Sequence, residues 1–236
     1  MGGIGEKLRI DIARERIRGV YAITPDEPNT ELLSARVSDA LAGGVRLIQY
    51  RNKAAGKRLA HEQALALRHL TAEVGAQLII NDDIELALEV SADGVHLGRD
   101  DGHSAADDAR VDFDSLRRHA ARSSTCRRTF MIGVSCYNEM DLARSAAAAG
   151  ADYVAFGSVF PSTTKPLAVR AALSLIQRAK QELSLPVVAI GGITPENAPQ
   201  LLAAGADAVA VISSLFGGRD IRARAFAFTS IFPNHV

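Results

Sequence analysis

Residues 150–157 read GADYVAFG and residues 205–213 read GADAVAVIS. In each, a glycine closing a helix-like stretch leads through Ala-Asp into an apolar run that is too short for a helix and suits one buried strand. A third copy, ADGVHLG at 92–98, keeps the order without the leading glycine. Gly150 and Gly205 stand where a helix C-terminus favours a left-handed residue. The copies are too imperfect for a solenoid, so their shared pattern is expected to serve the fold.

Outward from these three, short β-branched and apolar runs recur, each followed by a polar turn and a longer stretch with helical spacing. The predicted strands are 19–24 (GVYAIT), 46–51 (RLIQYR), 77–81 (QLIIN), 94–98 (GVHLG), 130–135 (FMIGVS), 153–157 (YVAFG), 186–191 (PVVAIG) and 207–213 (DAVAVIS). Nearly uninterrupted apolar strands imply burial on both faces, as in a parallel sheet covered by helices. Eight βα units predict an α/β fold, a single (β/α)8 TIM barrel over 19–236 with 1–18 as an N-terminal extension. An open doubly wound sheet is the runner-up, but the lone GGI turn at 191–193 is not the GxGxxG of a dinucleotide site. The polar segment 102–129 is expected to hold one exposed helix and a loop, its charges forming a solvated face. The stripe at 59–70 (LAHEQALALRHL) reads as core.

The chain has 236 residues, 47% hydrophobic and 23% charged, enough for a sizeable single core. Lys+Arg and Asp+Glu number 27 each, which argues against nucleic-acid or anionic-lipid binding by overall charge. Anionic ligands must then be held by local groups. No apolar run approaches 18 residues and the N-terminus carries charge within its first nine residues, so a membrane span and secretion are not expected and a cytoplasmic location is. Cys126 and Cys136 form no CxxC pair and read as reduced thiols. A homo-oligomer is compatible with the sequence, which does not specify one.

Active sites of such barrels gather at the C-terminal ends of the strands. Carboxylates after strands three and four, Asp82 and Asp101, could converge on one hard cation, since Mg²⁺ takes one or two carboxylates plus phosphate oxygens and water. Either Asp82 or Asp83 could instead cap the helix starting near Ile84; Asp83 is the better cap, leaving Asp82 for metal. Arg51, Lys53 and Lys165 are strand-end cations suited to a diphosphate. Gly191-Gly192 and Ser213-Ser214, after strands seven and eight, suit a phosphate monoester, although the glycines could serve only to turn the chain. The six histidines lack a metal-ligand spacing, which disfavours zinc, and His96 reads as a packed residue rather than a base.

The pieces GVYAIT, IQYRNK, IINDDIELALEVSADGVHLGRDD, IGVSCYN, GADYVAFGSVFPSTTK, AIGGIT and VIS together resemble the thiamine-phosphate synthases from about Gly19 to Ser214. The resemblance implies a transferase of a pyrimidinylmethyl group. It would join 4-amino-2-methyl-5-hydroxymethylpyrimidine diphosphate to hydroxyethylthiazole phosphate, releasing pyrophosphate by a dissociative, Mg²⁺-dependent route in thiamine biosynthesis. Gln49, Tyr50, Arg51, Asn52, Lys53 and Asn81 would line the pyrimidine diphosphate site, with Ser135 and Lys165 completing it and Asp82 and Asp101 holding the metal. Arg51, Lys53, Ser135 and Lys165 would be catalytic. Ser162 and Thr164 would lie against the thiazole phosphate, and Gly192 with Ile212 and Ser213 would receive its phosphate. Asn52 departs from the pattern, where an acid is common, as does Ala172, where glycine is common. Two alternatives stand beside this reading: a thiazole tautomerase-like barrel, which would not need the metal and diphosphate groups, and a non-catalytic regulatory protein that binds a thiamine precursor.

Overall fold

The computed structural model describes residues 2–98, 112–123, 129–161 and 169–232. Among these, eight strands alternate with helices: β1 Gly19–Ile23, β2 Leu47–Tyr50, β3 Gln77–Asn81, β4 Gly94–Leu97, β5 Met131–Tyr137, β6 Tyr153–Gly157, β7 Val187–Ile190 and β8 Ala208–Val211. They form a closed parallel barrel in chain order, with β1 paired to both β2 and β8. The outer layer is α2 Thr30–Ala42, α3 Lys57–Glu73, α4 Ile84–Glu89, α5 Phe113–Ser123, α6 Met140–Ala148, α7 Leu173–Glu182, α8 Ala198–Ala203, α9 Ser213–Phe216 and α10 Ile221–Thr229, while α1 is Gly2–Arg16. This is the (β/α)8 fold the punctuation predicts, with strand ends differing by one or two residues. β5 runs to Tyr137, with a bulge between Ser135 and Tyr137 that no turn residue in the sequence announces.

The strand period of two divides the core. Residues such as Val20, Ile48, Tyr50, Leu78, Ile80 and Val154 pack outward beneath the helices. Their alternates Tyr21, Leu47, Ile79, Met131, Tyr153 and Val188 fill the barrel interior. One pair shows how the interior is filled. Gly133 on β5 is in register with Tyr153 on β6, and a Cβ on Gly133 would fall 2.0 Å from the Tyr153 ring. A missing side chain on one strand thus leaves room for a large one on the next.

The three Ala-Asp copies turn out to be one device used three times. Asp93 accepts the backbone N–H of Leu78, Asp152 that of Ile132 and Asp207 that of Val187, so each ties the strand it precedes to the start of the neighbouring one. Each also meets a cation: Arg68 on Asp93, Arg9 and Arg117 on Asp152, and Lys180 on Asp207. Gly150 and Gly205 have φ of 89° and 95°, the left-handed value expected after a helix. Pairing of this kind is needed at Asp152, whose side chain is fully buried and would be costly as a lone charge.

The residues before β1 do more than extend the chain. Ala13 and Ile17 belong to the interior cluster, and Arg9, Arg14 and Arg16 donate to carbonyls of Gly150, Ser184 and Thr129 at the N-terminal ends of β6, β7 and β5. Helix α1 therefore closes the end of the barrel opposite the strand C-termini. The segment after β4 also differs from expectation. In α5, Phe113, Leu116 and Ala120 are buried on one face, and Arg117 is drawn onto Asp152 and away from solvent. The i, i+3, i+7 stripe was present in the sequence, but the surrounding charges hid it.

Candidate active site

At the C-terminal mouth, β3 delivers Asn81 and Asp82. Asp83 caps α4 by accepting the N–H of Leu86, as its position predicts. Asp82 is separated from that duty by a left-handed backbone, φ 61°, which an aspartate tolerates at some cost in strain and which is concentrated at functional positions in proteins. Its Oδ1 accepts Gly98 N–H at 2.8 Å and its Oδ2 accepts Asn81 Nδ2 at 2.5 Å. A Cβ on Gly98 would lie 3.7 Å from Asp82 Oδ1 and 3.6 Å from Ser135 Oγ. The end of β4 is thus bare backbone, flanked by a carboxylate from β3 and a hydroxyl from β5.

The end of β2 is braced by residues that the sequence reading passed over. Thr24 Oγ1, fully buried after β1, exchanges hydrogen bonds with Arg51 N and O. Asp26 Oδ1 accepts Lys53 N–H at 2.9 Å and meets Arg51 Nη1 at 3.5 Å. Arg51 and Lys53 are therefore held at the rim by the neighbouring βα loop. Tyr50 and Asn52, expected to line the ligand site, point elsewhere. Tyr50 OH donates to Gln63 Oε1 beneath α3, and Asn52 Nδ2 donates to Glu27 O and Gln63 Oε1. Strand alternation explains Tyr50: Gln49 faces the interior, so Tyr50 must face out. Burial, reinforced by the charge of Asp26, pushes the Tyr50 hydroxyl up to about 12, and it stays protonated.

Beneath the mouth runs a buried line of polar side chains. Gln49 Nε2 donates to Tyr21 OH at 2.8 Å, and the Tyr21 and Tyr153 hydroxyls are 2.8 Å apart. Tyr153 OH lies 3.1 Å from His96 Nδ1, and His96 Nε2 lies 2.9 Å from Ser135 Oγ. Desolvation lowers His96 to about 4, so the imidazole is neutral at ordinary pH. Burial raises both phenols well above their usual range. His96 is packed, as its place within a strand suggests, and it is also hydrogen-bonded at both nitrogens. Tyr21 and Tyr153 give no signal in the sequence beyond their inward parity.

On the far side of the mouth, Gly191 and Gly192 have φ of 106° and 64°. A Cβ on Gly191 would meet Ser158 Oγ at 2.1 Å and one on Gly192 would meet Pro161 O at 2.2 Å, so both positions demand glycine. Asn197 clamps this turn by accepting Thr194 N–H and donating to Gly192 O. Ile212 follows β8 as the N-cap of α9, and Ser213 opens that helix. Asp101, Ser162, Thr164 and Lys165 lie outside the described residues, as does Cys126; Cys136 is buried, its thiol donating to Val134 O. Among the described residues no three His, Cys, Asp or Glu side chains group as metal ligands, and no helix is long and apolar enough to cross a membrane.

Comparison with known proteins follows the same outline. A family model described as thiamine monophosphate synthase matches residues 20–215. Thiamine-phosphate synthase of Azoarcus sp. (strain BH72) is 51% identical over 218 residues, covering 92% of this chain and 98% of its own. That of Aromatoleum aromaticum is 48% identical over 217 residues, covering 92% and 97%. Among solved structures, thiamine phosphate pyrophosphorylase from Pyrococcus furiosus superposes with a TM-score of 0.74 at 34% identity, covering 92% of this chain and 96% of that one.

Proposed function

Since this chain belongs to the thiamine monophosphate synthase family and is a transferase of thiamine biosynthesis with that family's activity, we propose how its barrel mouth divides the work between two anionic substrates. The pyrimidine diphosphate sits over the ends of β2 to β5. Arg51 and Lys53, braced by Thr24 and Asp26, face its phosphates, Gln49 and Asn81 meet the pyrimidine side, and Ser135 Oγ approaches the diphosphate. The thiazole phosphate takes the opposite side, its phosphate against the backbone of Gly192 and the Ile212–Ser213 turn. By the family resemblance, Ser162 and Thr164 would contact it and Lys165 would complete the diphosphate site.

The observation that carries this reading is the bare backbone of Gly98, with the Asp82 carboxylate on one side and the Ser135 hydroxyl on the other. Asp82 fits Mg²⁺ because a carboxylate at a strand C-terminus is a hard oxygen donor, the kind this ion takes together with phosphate oxygens and water. Asp82, with Asp101, would hold the ion, which when bound neutralises charge on the departing diphosphate. In the reaction the pyrimidine methylene C–O bond breaks with its electron pair passing to the diphosphate oxygen. The lone pair of the thiazole nitrogen then forms the new C–N bond. No side chain need act as a nucleophile, so the protein contributes orientation and charge complementarity.

The test is pyrophosphate release with each substrate alone and with both. Release with both substrates and Mg²⁺ only, lowered about 100-fold or more in Asp82→Asn, is expected. Binding of thiazole phosphate without pyrophosphate release would favour a regulatory role, and turnover of Asp82→Asn equal to the parent at limiting Mg²⁺ would remove Asp82 from the metal site.

A further inference from the structure

The buried line from Gln49 to Ser135 has a direction, and proton counting gives it. Each phenol has one hydrogen and a neutral imidazole has one N–H. Gln49 donates its amide N–H into Tyr21, so the Tyr21 hydrogen must go on to Tyr153, and the Tyr153 hydrogen to His96 Nδ1. The imidazole hydrogen then sits on Nε2 and is donated to Ser135 Oγ. The opposite sense would have Tyr21 O accept from both Gln49 and Tyr153 and leave the Tyr21 hydrogen without an acceptor in the line, among side chains 1–2% exposed. With its oxygen already accepting from His96, Ser135 is left to give its own hydrogen to a neighbour at the mouth.

We propose that His96 is a positioning residue, held in one tautomer by Tyr153, Tyr21 and Gln49, which turns Ser135 into an obligate hydrogen-bond donor toward the departing diphosphate. This rests on the placement of the diphosphate beside Ser135 given above. Without that bias Ser135 could spend its hydrogen on His96 Nε2 and present a lone pair to an anion, which repels it. Hydroxyl donation to an anionic oxygen is among the stronger hydrogen bonds, and each donor in a chain polarises the next. The interior packing supports the same line. The His96 and Tyr153 rings stack at 5.5 Å, and the Gly133 gap fixes where the Tyr153 ring can lie. Neutrality of the buried imidazole, argued above, is consistent with a fixed tautomer.

Two measurements on the full-length enzyme decide it. The first is the ¹⁵N NMR spectrum of histidine-labelled protein at pH 7.5, with the His96 signals assigned by their loss in His96→Gln. A neutral Nε2–H tautomer is expected, and the Nδ1–H tautomer would overturn the proposal. The second is single-turnover kinetics. His96→Leu and Tyr153→Phe should slow the chemical step by about 10- to 100-fold, the range for loss of an oriented donor, with KM for thiazole phosphate within about twofold as a check on folding. His96→Gln, whose amide N–H can reach the Nε2 position, should recover most of the rate lost in His96→Leu; equal loss in both would also overturn it. A Ser135→Ala rate equal to the parent would instead strike the underlying placement of the diphosphate, and the tautomer result distinguishes that failure from the first.

Discussion

At the scale of single residues, burial sets the chemistry of this mouth. His96 titrates near 4 in the folded chain against an ordinary 6.5, so between these values the unfolded chain binds a proton that the folded one does not. Stability from this residue is therefore complete above pH 6.5 and declines as pH falls toward 4, by about 3 kcal/mol in all. Urea midpoints measured from pH 7 to pH 4 should fall less steeply in His96→Gln than in the parent; parallel curves would deny the shift. Adjacent aspartates should separate cleanly. Asp83→Ala removes the N-cap of α4 and should cost about 1 kcal/mol, seen as a lower unfolding midpoint with turnover nearly intact, whereas Asp82→Asn should keep its midpoint and lose turnover. Gly192→Ala places a methyl group against Pro161 O at a left-handed φ, and KM for thiazole phosphate should rise at least about tenfold with a smaller change for the pyrimidine substrate. Residues of this kind were only partly legible beforehand. Asp82 and Asp83 could be told apart because capping has a fixed spacing, and Gly192 because turns need it. That the side chains of Tyr50 and Asn52 turn to Gln63 was not legible, because a motif names positions, while strand parity and a neighbour decide where side chains point.

At the scale of elements, the same parity made the strands readable and left their companions hidden. Eight apolar runs with turn punctuation announce a barrel, because each must be buried on both faces. Helix α1 has no comparable announcement: its sequence is largely polar, and buried Ala13 within it and Ile17 just after it matter only once the barrel exists to receive them. Ile17→Ala should cost about 2–5 kcal/mol as a cavity in a closed interior. Each kcal/mol lowers Tm by about 2–4 °C in a domain of this size, so a calorimetric scan unchanged within one degree would show that α1 does not seal the barrel. Thr24, Asp26 and Glu27 were missed for a related reason. They act by bracing the β2 loop across a gap of about 25 residues, a relation visible only when β1 and β2 lie side by side.

For the molecule as a whole, fold and site rest on separate foundations. Two apolar clusters, one beneath the helices and one inside the barrel, make up the core, and the proposed ligands stand at its rim. Removing Mg²⁺ with a chelator should therefore abolish pyrophosphate release while leaving Tm within about 2 °C, and restoring the ion should restore activity; a large fall in Tm would mean that the ion also holds the barrel together. Sequence made the whole visible through its repeated Ala-Asp turns, whose carboxylates tie each strand to its predecessor, and left the active site legible only where position alone fixes chemistry. The tethering of α1 also bears on how the chain is made. Its arginines grip carbonyls at Thr129, Gly150 and Ser184, and β1 must wait for β8. At a synthesis rate of roughly 5–20 residues per second, the ribosome needs about 10–30 seconds to deliver residue 184 after α1 has emerged. During that interval the helix and the opening strand have no native partners on their far sides, and a nascent chain stalled before β8 would hold a half-closed sheet with two open edges, each a template for pairing with another chain.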